Sequence, residues 1–362
     1  MGLALARGLG WSRARSSLSP EVGMKKAIIA GVRQACLIEA PRPKPVADWA
    51  LVKVLVAPMC TEYKAFLAGG RHEFLGHEAA GEVAEVAQPC GVQPGDRVVV
   101  MPQYPCGRCV LCLSGEYIHC ENCPSFDAFT GSPEGKATYS QYLLKPAWLL
   151  PRIPDDLTIE EGSLACCALG PSFGAFDQIR LNAFDTVLIT GLGPVGLGAI
   201  VNARFRGARV IGVESHPWRV ERAAALGAEA VLDPRDPECL GKIRDLTQGT
   251  GVDAALDCSG VPQAHRLCID AARRKGRVAF VGECGDTTFL RVSDDMIRKG
   301  LTVVGSWHYN RARVPAVFDV VRRMRSEIGL LVSHVMSMSR VQEAFEISAS
   351  HDCGKILLHP WD

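Results

Sequence analysis

Asp185-Thr-Val-Leu-Ile-Thr-Gly191-Leu192-Gly193-Pro194-Val195-Gly196 decides the fold. An apolar run with the character of a buried strand passes directly into G-x-G-x-x-G, and a helix-like stretch follows. The glycines permit a tight turn and a close backbone approach, and the new helix offers its N-terminus to a pyrophosphate. The next strand-like run, Arg-Val-Ile-Gly-Val, leads to Glu214, 21 residues beyond Gly193. A carboxylate there accepts from adenosine ribose hydroxyls and repels a 2′-phosphate, so NAD is expected over NADP. A surface-turn cap is the plainer role for Glu214. Arg219 either reaches the ribose or is simply solvated. Gly191, Gly193, Pro194, Val195, Gly196, Glu214 and Arg219 are the candidate cofactor-binding residues.

Working outward, apolar runs alternate with helical stretches from about Ala165 to Gly305, which implies a parallel sheet flanked by helices. From Met24 to Leu164 the runs are short, β-rich and separated by Gly, Pro and Cys, as in an antiparallel domain. After Gly305, one long helical segment (314–326) and a mixed tail are too little for a third domain and are expected to complete the first. The expected fold is α/β in two units: a β-rich domain over 24–168 with a cysteine lobe at about 104–123, a doubly wound parallel-sheet domain over 169–305, and a return over 306–362.

The chain has 362 residues, 48% of them hydrophobic and 22% charged, which suits two packed domains and excludes a disordered or fibrous protein. A net charge of +1 leaves no field for non-specific nucleic-acid or membrane binding. The longest uncharged stretch, 18 residues between Asp185 and Arg204, contains four glycines and Pro194, unlike a lipid-facing helix. Residues 1–23 carry three arginines against one acid, which reads as a disordered extension or a start upstream of Met24, with a transit peptide as the alternative.

Fifteen cysteines without a secretory signal point to metal rather than disulfides, and to a reducing cytoplasm. Cys106, Cys109, Cys112 and Cys120 offer four thiolates in one short loop, the donor set of a closed, structural zinc site. Cys60, the Gly76-His77-Glu78 triplet and Cys167 are candidates for a second, open site of the Cys2His kind. Taken singly, Cys60 and His77 read equally well as a buried thiol and a turn histidine.

Together, the Gly-His-Glu triplet, the four-cysteine lobe, Gly-Leu-Gly-Pro-Val-Gly and Val-Asp-Ala-Ala-Leu-Asp-Cys-Ser-Gly resemble the zinc-containing medium-chain dehydrogenase/reductase family of alcohol, polyol and threonine dehydrogenases. The resemblance runs from Met24 onward. It implies a GroES-like catalytic domain, a Rossmann domain and a catalytic zinc between them, with Cys60, His77 and Cys167 as ligands and Cys166 as the alternative third. Glu78 matches a carboxylate that approaches the metal. Family members read Cys-x-Ser/Thr-Asp after the first ligand, where the hydroxyl begins a proton relay and the Asp supports the histidine. Here Cys60-Thr61-Glu62 is one residue shorter, so either Thr61 and Glu62 take those two parts or Glu62 itself starts the relay.

The activity implied is hydride transfer between the carbinol carbon of an alcohol or polyol and NAD, in a dimer or tetramer that binds neither nucleic acid nor membrane. A zinc-free reductase of enones or quinones and a non-catalytic nucleotide-binding protein are the alternatives. Phe66, Trp307 and His308 are expected near the substrate, although an aromatic there also suits core packing.

Overall fold

The computed structural model describes residues 23–362, so the readings of the first 22 residues lie outside it. Before the dinucleotide motif come β1 (Gly23–Gly31), β2 (Gln34–Pro41), β3 (Trp49–Pro58), β4 (Ala79–Val86), β5 (Arg97–Val100) and β6 (Tyr142–Pro146). Then follow β7 (Thr186–Thr190), β8 (Arg209–Val213), β9 (Ala230–Leu232), β10 (Val252–Asp257), β11 (Ala272–Phe280) and β12 (Thr302–Gly305). Last come β13 (Val332–Ser337) and β14 (Lys355–His359).

β3 organises the first unit. Its Val- and Leu-rich sequence is buried on both faces, which fits a central strand. It pairs antiparallel with β4, β6 and β14. β13 lies parallel to β14, giving the order β13-β14-β3-β4-β5. Residues after 305 therefore supply two strands to this sheet. β1 and β2 form a hairpin, and the core includes Val52, Val54, Val98, Phe345 and Leu358.

The second unit is a six-stranded sheet in the order β12-β11-β10-β7-β8-β9 with every pair parallel. Read from β9, this is the doubly wound 3-2-1-4-5-6 arrangement, with a topological switch between β7 and β10. All five residues of β7 are buried. Gly191 follows at φ +76°, and Pro194 opens the helix Pro194–Phe205, where its missing N–H costs nothing. Close packing explains the last glycines: a Cβ on Gly196 would lie 2.1 Å from the Gly191 carbonyl oxygen, and one on Gly198 would lie 1.9 Å from that of Ala168.

The single long helical segment expected over 314–326 is two helices, Val314–Arg323 and Arg325–Leu331. They break at Met324 (φ −112°, ψ 32°), between Arg323 and Arg325.

Candidate active site

Three backbone devices bring the first cluster together. Cys60 follows the end of β3, and His77 and Glu78 immediately precede β4, β3's antiparallel partner. Gly76 makes the turn at φ +85°, where a Cβ would strike Thr138 Oγ1 at 2.0 Å. Cys167 arrives on the turn before the helix Gly170–Gln178. One donor atom from each of Cys60, His77, Glu78 and Cys167 lies within 4.8 Å of the others. The Cys60 and Cys167 sulfurs are 3.7 Å apart, close to the ~3.8 Å edge of a tetrahedron with 2.3 Å zinc–sulfur bonds. Soft thiolates, an imidazole and a carboxylate with an unpartnered oxygen (Glu78 Oε2) suit zinc. Cys166 turns away, its thiol donating to the Val100 carbonyl at 3.5 Å.

Around this cluster sits a supporting shell. Glu62 Oε1 lies 2.7 Å from His77 Nδ1, which leaves Nε2 free for a metal. Its Oε2 accepts from the Tyr139 hydroxyl at 2.8 Å and the Cys60 N–H at 3.1 Å. Burial would raise the Glu62 pKa, but His77 and Tyr139 outweigh it and hold the carboxyl down at about 2. Burial likewise disfavours charge on His77, yet Cys60 and Glu62 hold its pKa well above the ordinary value.

Glu78 forms a fully buried ion pair with Lys355 of β14, whose ammonium also donates to the Met59 carbonyl at 3.1 Å. Desolvation nonetheless lifts Glu78 to about 7, with Lys355 opposing. Lys355 and Tyr139 were not anticipated from the sequence. A lone cation at the head of the apolar run Ile356-Leu-Leu was the one available signal for Lys355.

Cys60, Thr61, His77 and Cys167 open into a cleft of about 900 Å³ whose far wall is Gly191, Gly193, Pro194, Val195, Gly196, Glu214 and Arg219. Every expected dinucleotide residue thus faces the cluster across one cavity, at the β7/β10 switch. The buried Glu214 carboxylate accepts from the N–H groups of Leu192 (2.9 Å), Ser215 (2.7 Å) and His216 (3.1 Å). Arg219 Nη1 lies 3.8 Å from it. Trp307 and His308 line the cleft as expected. Phe66 does not. It is fully buried and stacked on Phe345 at 5.0 Å, because the short helix Tyr63–Ala68 turns it into the first core.

The lobe cysteines form the second cluster. Sulfur separations of 3.5 Å (Cys109–Cys112), 3.9 Å (Cys106–Cys112) and 3.9 Å (Cys109–Cys120) again match tetrahedral edges. Four protein donors leave no open position.

Two family models match the chain: alcohol dehydrogenase GroES-like domain over residues 46–155 and zinc-binding dehydrogenase over residues 194–323. The L-threonine 3-dehydrogenase of Pyrococcus horikoshii is 30% identical over 337 residues, covering 89% of this chain and 94% of its own. The sorbitol dehydrogenase of Bacillus subtilis is 28% identical over 349 residues, covering 93% and 97%. Among solved structures, the alcohol dehydrogenase TADH from Thermus sp. ATN1 superposes with a TM-score of 0.83 at 26% identity, over 92% of this chain and 99% of that one. The chain belongs to the zinc-type, medium-chain alcohol dehydrogenase family.

Proposed function

We propose that the protein is an NAD-dependent dehydrogenase of alcohols or polyols, with one zinc held by Cys60, His77 and Cys167 and a second by Cys106, Cys109, Cys112 and Cys120. The observation that carries this is the placement of the cysteine–histidine cluster opposite the glycine turn in one cleft. Zinc, when bound, supplies Lewis acidity at the substrate oxygen, and NAD accepts the hydride. The protein's own part is to position and to move a proton. Thr61 lines the cleft, so its hydroxyl takes the substrate proton outward, while Glu62, with both oxygens engaged, orients His77 instead. This division fits the shortened Cys60-Thr61-Glu62 run: the longer glutamate spans what a missing residue took away. Glu78, paired with Lys355, would offer a carboxylate beside the metal held by the other three donors.

The helix N-terminus at Pro194 receives the pyrophosphate, and Glu214 with Arg219 receives the ribose, favouring NAD. Residues 24–168 and 306–362 form the catalytic unit, and 169–305 the cofactor unit. Among the described residues no helix is long and apolar enough to cross a membrane. A reducing cytoplasm, which keeps both thiolate clusters free, and a dimer or tetramer complete the proposal.

The test is reduction of NAD and of NADP by the zinc-loaded protein across alcohols, polyols and threonine. The expectation is zinc-dependent turnover with NAD, lost in Cys60→Ala while NAD binding survives. A zinc-free variant that still turns over, or a preference for NADP, refutes the corresponding assignment.

A further inference from the structure

Asp257, the last residue of β10, is wholly buried, and its carboxylate takes five hydrogen bonds. Oδ1 accepts from the Thr190 hydroxyl at 2.8 Å, the Ser259 hydroxyl at 2.6 Å and the Ser259 N–H at 3.1 Å. Oδ2 accepts from the Gly260 N–H at 2.9 Å and from His265 Nε2 at 3.1 Å. The Asp257 backbone carbonyl accepts from the N–H groups of Val281 (2.9 Å) and Gly282 (3.1 Å). One residue therefore ties together the ends of β7, β10 and β11, and Thr190, Ser259, Val281 and Gly282 all line the cleft. These turns have no slack between them. A Cβ on Gly191, the first glycine of the dinucleotide motif, would lie 2.6 Å from that of Ser259, and one on Gly260 would lie 2.2 Å from the Glu283 carbonyl oxygen.

His265 stands behind this knot. It is 5% exposed on the helix Pro262–Ala271, does not line the cleft, and its ring lies 4.5 Å from that of Phe280. With five donors converging on it, the Asp257 carboxylate can only accept, so His265 Nε2 carries a proton toward it and Nδ1 is left for a second partner. That partner is the Thr288 hydroxyl, 2.6 Å from Nδ1. Thr288 belongs to the stretch 283–290, which leaves the cleft wall at Glu283 and carries Phe289 outward, 83% exposed. Among the described residues, hydrogen bonds hold this stretch to the rest of its domain at two points, both on one helix: Thr288 to His265, and the Phe289 carbonyl to Arg266 Nη1 at 3.5 Å.

We propose that His265 is a positioning residue: through Asp257 and Thr288 it locks the stretch 283–290 to the turn 258–260, and so fixes the wall that receives the nicotinamide half of NAD. This rests on the dehydrogenase reading above, which puts the pyrophosphate at the helix opened by Pro194 and the adenosine ribose at Glu214. The other half of the dinucleotide then falls beyond the switch, beside the ends of β10 and β11. A side chain with one polar end would hold either the turn or the stretch; an imidazole, with a nitrogen at each end, holds both. His265 itself touches neither cofactor nor substrate.

The test is calorimetric titration of NADH and of ADP into the zinc-loaded protein, wild type and variants. ADP carries the adenosine and both phosphates but lacks the nicotinamide riboside. His265→Phe keeps a ring and breaks both links; it should weaken NADH about tenfold and leave ADP within about twofold. Thr288→Val, at a half-buried position outside the core, breaks only the outer link and should weaken NADH about threefold. Thr288→Ser keeps the hydroxyl and should keep the wild-type ratio of the two affinities. A merely structural histidine would lower the thermal midpoint and weaken both nucleotides together. An unchanged NADH-to-ADP ratio in either His265→Phe or Thr288→Val, or equal weakening of the two nucleotides, overturns the proposal. A wild type that binds neither nucleotide overturns the dehydrogenase reading, and this proposal with it.

Discussion

Replacing Glu62 by glutamine tests whether this carboxylate holds the catalytic zinc site in shape. Glu62 accepts from three donors: His77 Nδ1–H at 2.7 Å, the Tyr139 hydroxyl at 2.8 Å and the Cys60 N–H at 3.1 Å. An amide of the same shape keeps one acceptor oxygen and turns an NH2 group toward donors, leaving at least one of them buried and unpaired. That costs about 1–3 kcal/mol. If the loss falls on the metal-bound state, zinc affinity drops about 10- to 100-fold, the range ordinarily carried by groups that orient a ligand. Chelator competition followed by a metal-sensitive dye reads it directly. The catalytic zinc should weaken while the lobe zinc stays put, so one of the two metals leaves early. Glu62→Asp, shorter by one methylene, should weaken it similarly. Inserting a residue between Cys60 and Thr61 in that aspartate variant should recover most of the affinity. Unchanged release of both zincs in Glu62→Gln and Glu62→Asp would refute the assignment.

Four further perturbations have defined outcomes. Asp295 is pulled down to about 2, first by its hydrogen bonds to Arg266, against burial. A lowered folded-state pKa stabilises above the unfolded value near 4 and ceases to as pH falls toward 2. Asp295→Asn should therefore cost about 1–2 kcal/mol in urea unfolding at neutral pH, discounted for the partly exposed Arg266, and almost nothing near pH 2. Lys355→Met strands the fully buried Glu78 carboxylate and should cost about 3–5 kcal/mol, with Glu78→Gln in the same chain restoring most of it. Gly198→Ala places a Cβ 1.9 Å from the Ala168 carbonyl, next to Cys167. It should lower the thermal midpoint, at a cost of about 1–3 kcal/mol, and loosen the catalytic zinc. Gly241→Ala, whose Cβ meets only the end of the Glu238 side chain at 3.4 Å, should be neutral or stabilising by up to about 1 kcal/mol.

The central strands β7, β8 and β10 of the parallel sheet were legible because each is an apolar, almost wholly buried run bounded by turn residues. β13 and β14 were not. Val-Ser-His-Val-Met-Ser mixes polar and apolar residues, and β14's partner β3 lies some 300 residues earlier, so no local pattern points to the pairing. The donor atoms of both clusters were readable as residue types at characteristic spacings. What surrounds them was not. Lys355 and Tyr139 join the site only through the fold, and neither the Glu78–Lys355 pair nor the Tyr139–Glu62 bond is close in sequence. Phe66 misled because helix phase, invisible in a six-residue segment, decides between cleft and core.

The return of the chain to its first sheet sets a timetable for biosynthesis. Glu78 leaves the ribosome 277 residues before Lys355 exists to neutralise it, an interval of about 15–55 s at ordinary elongation rates. Throughout that interval β3 lacks one neighbour and the cluster beside it lacks its cation, while the six strands of the parallel sheet are complete as soon as β12 emerges. The cofactor half is therefore able to complete its sheet on the nascent chain, whereas the catalytic half cannot complete its own until translation delivers its last two strands.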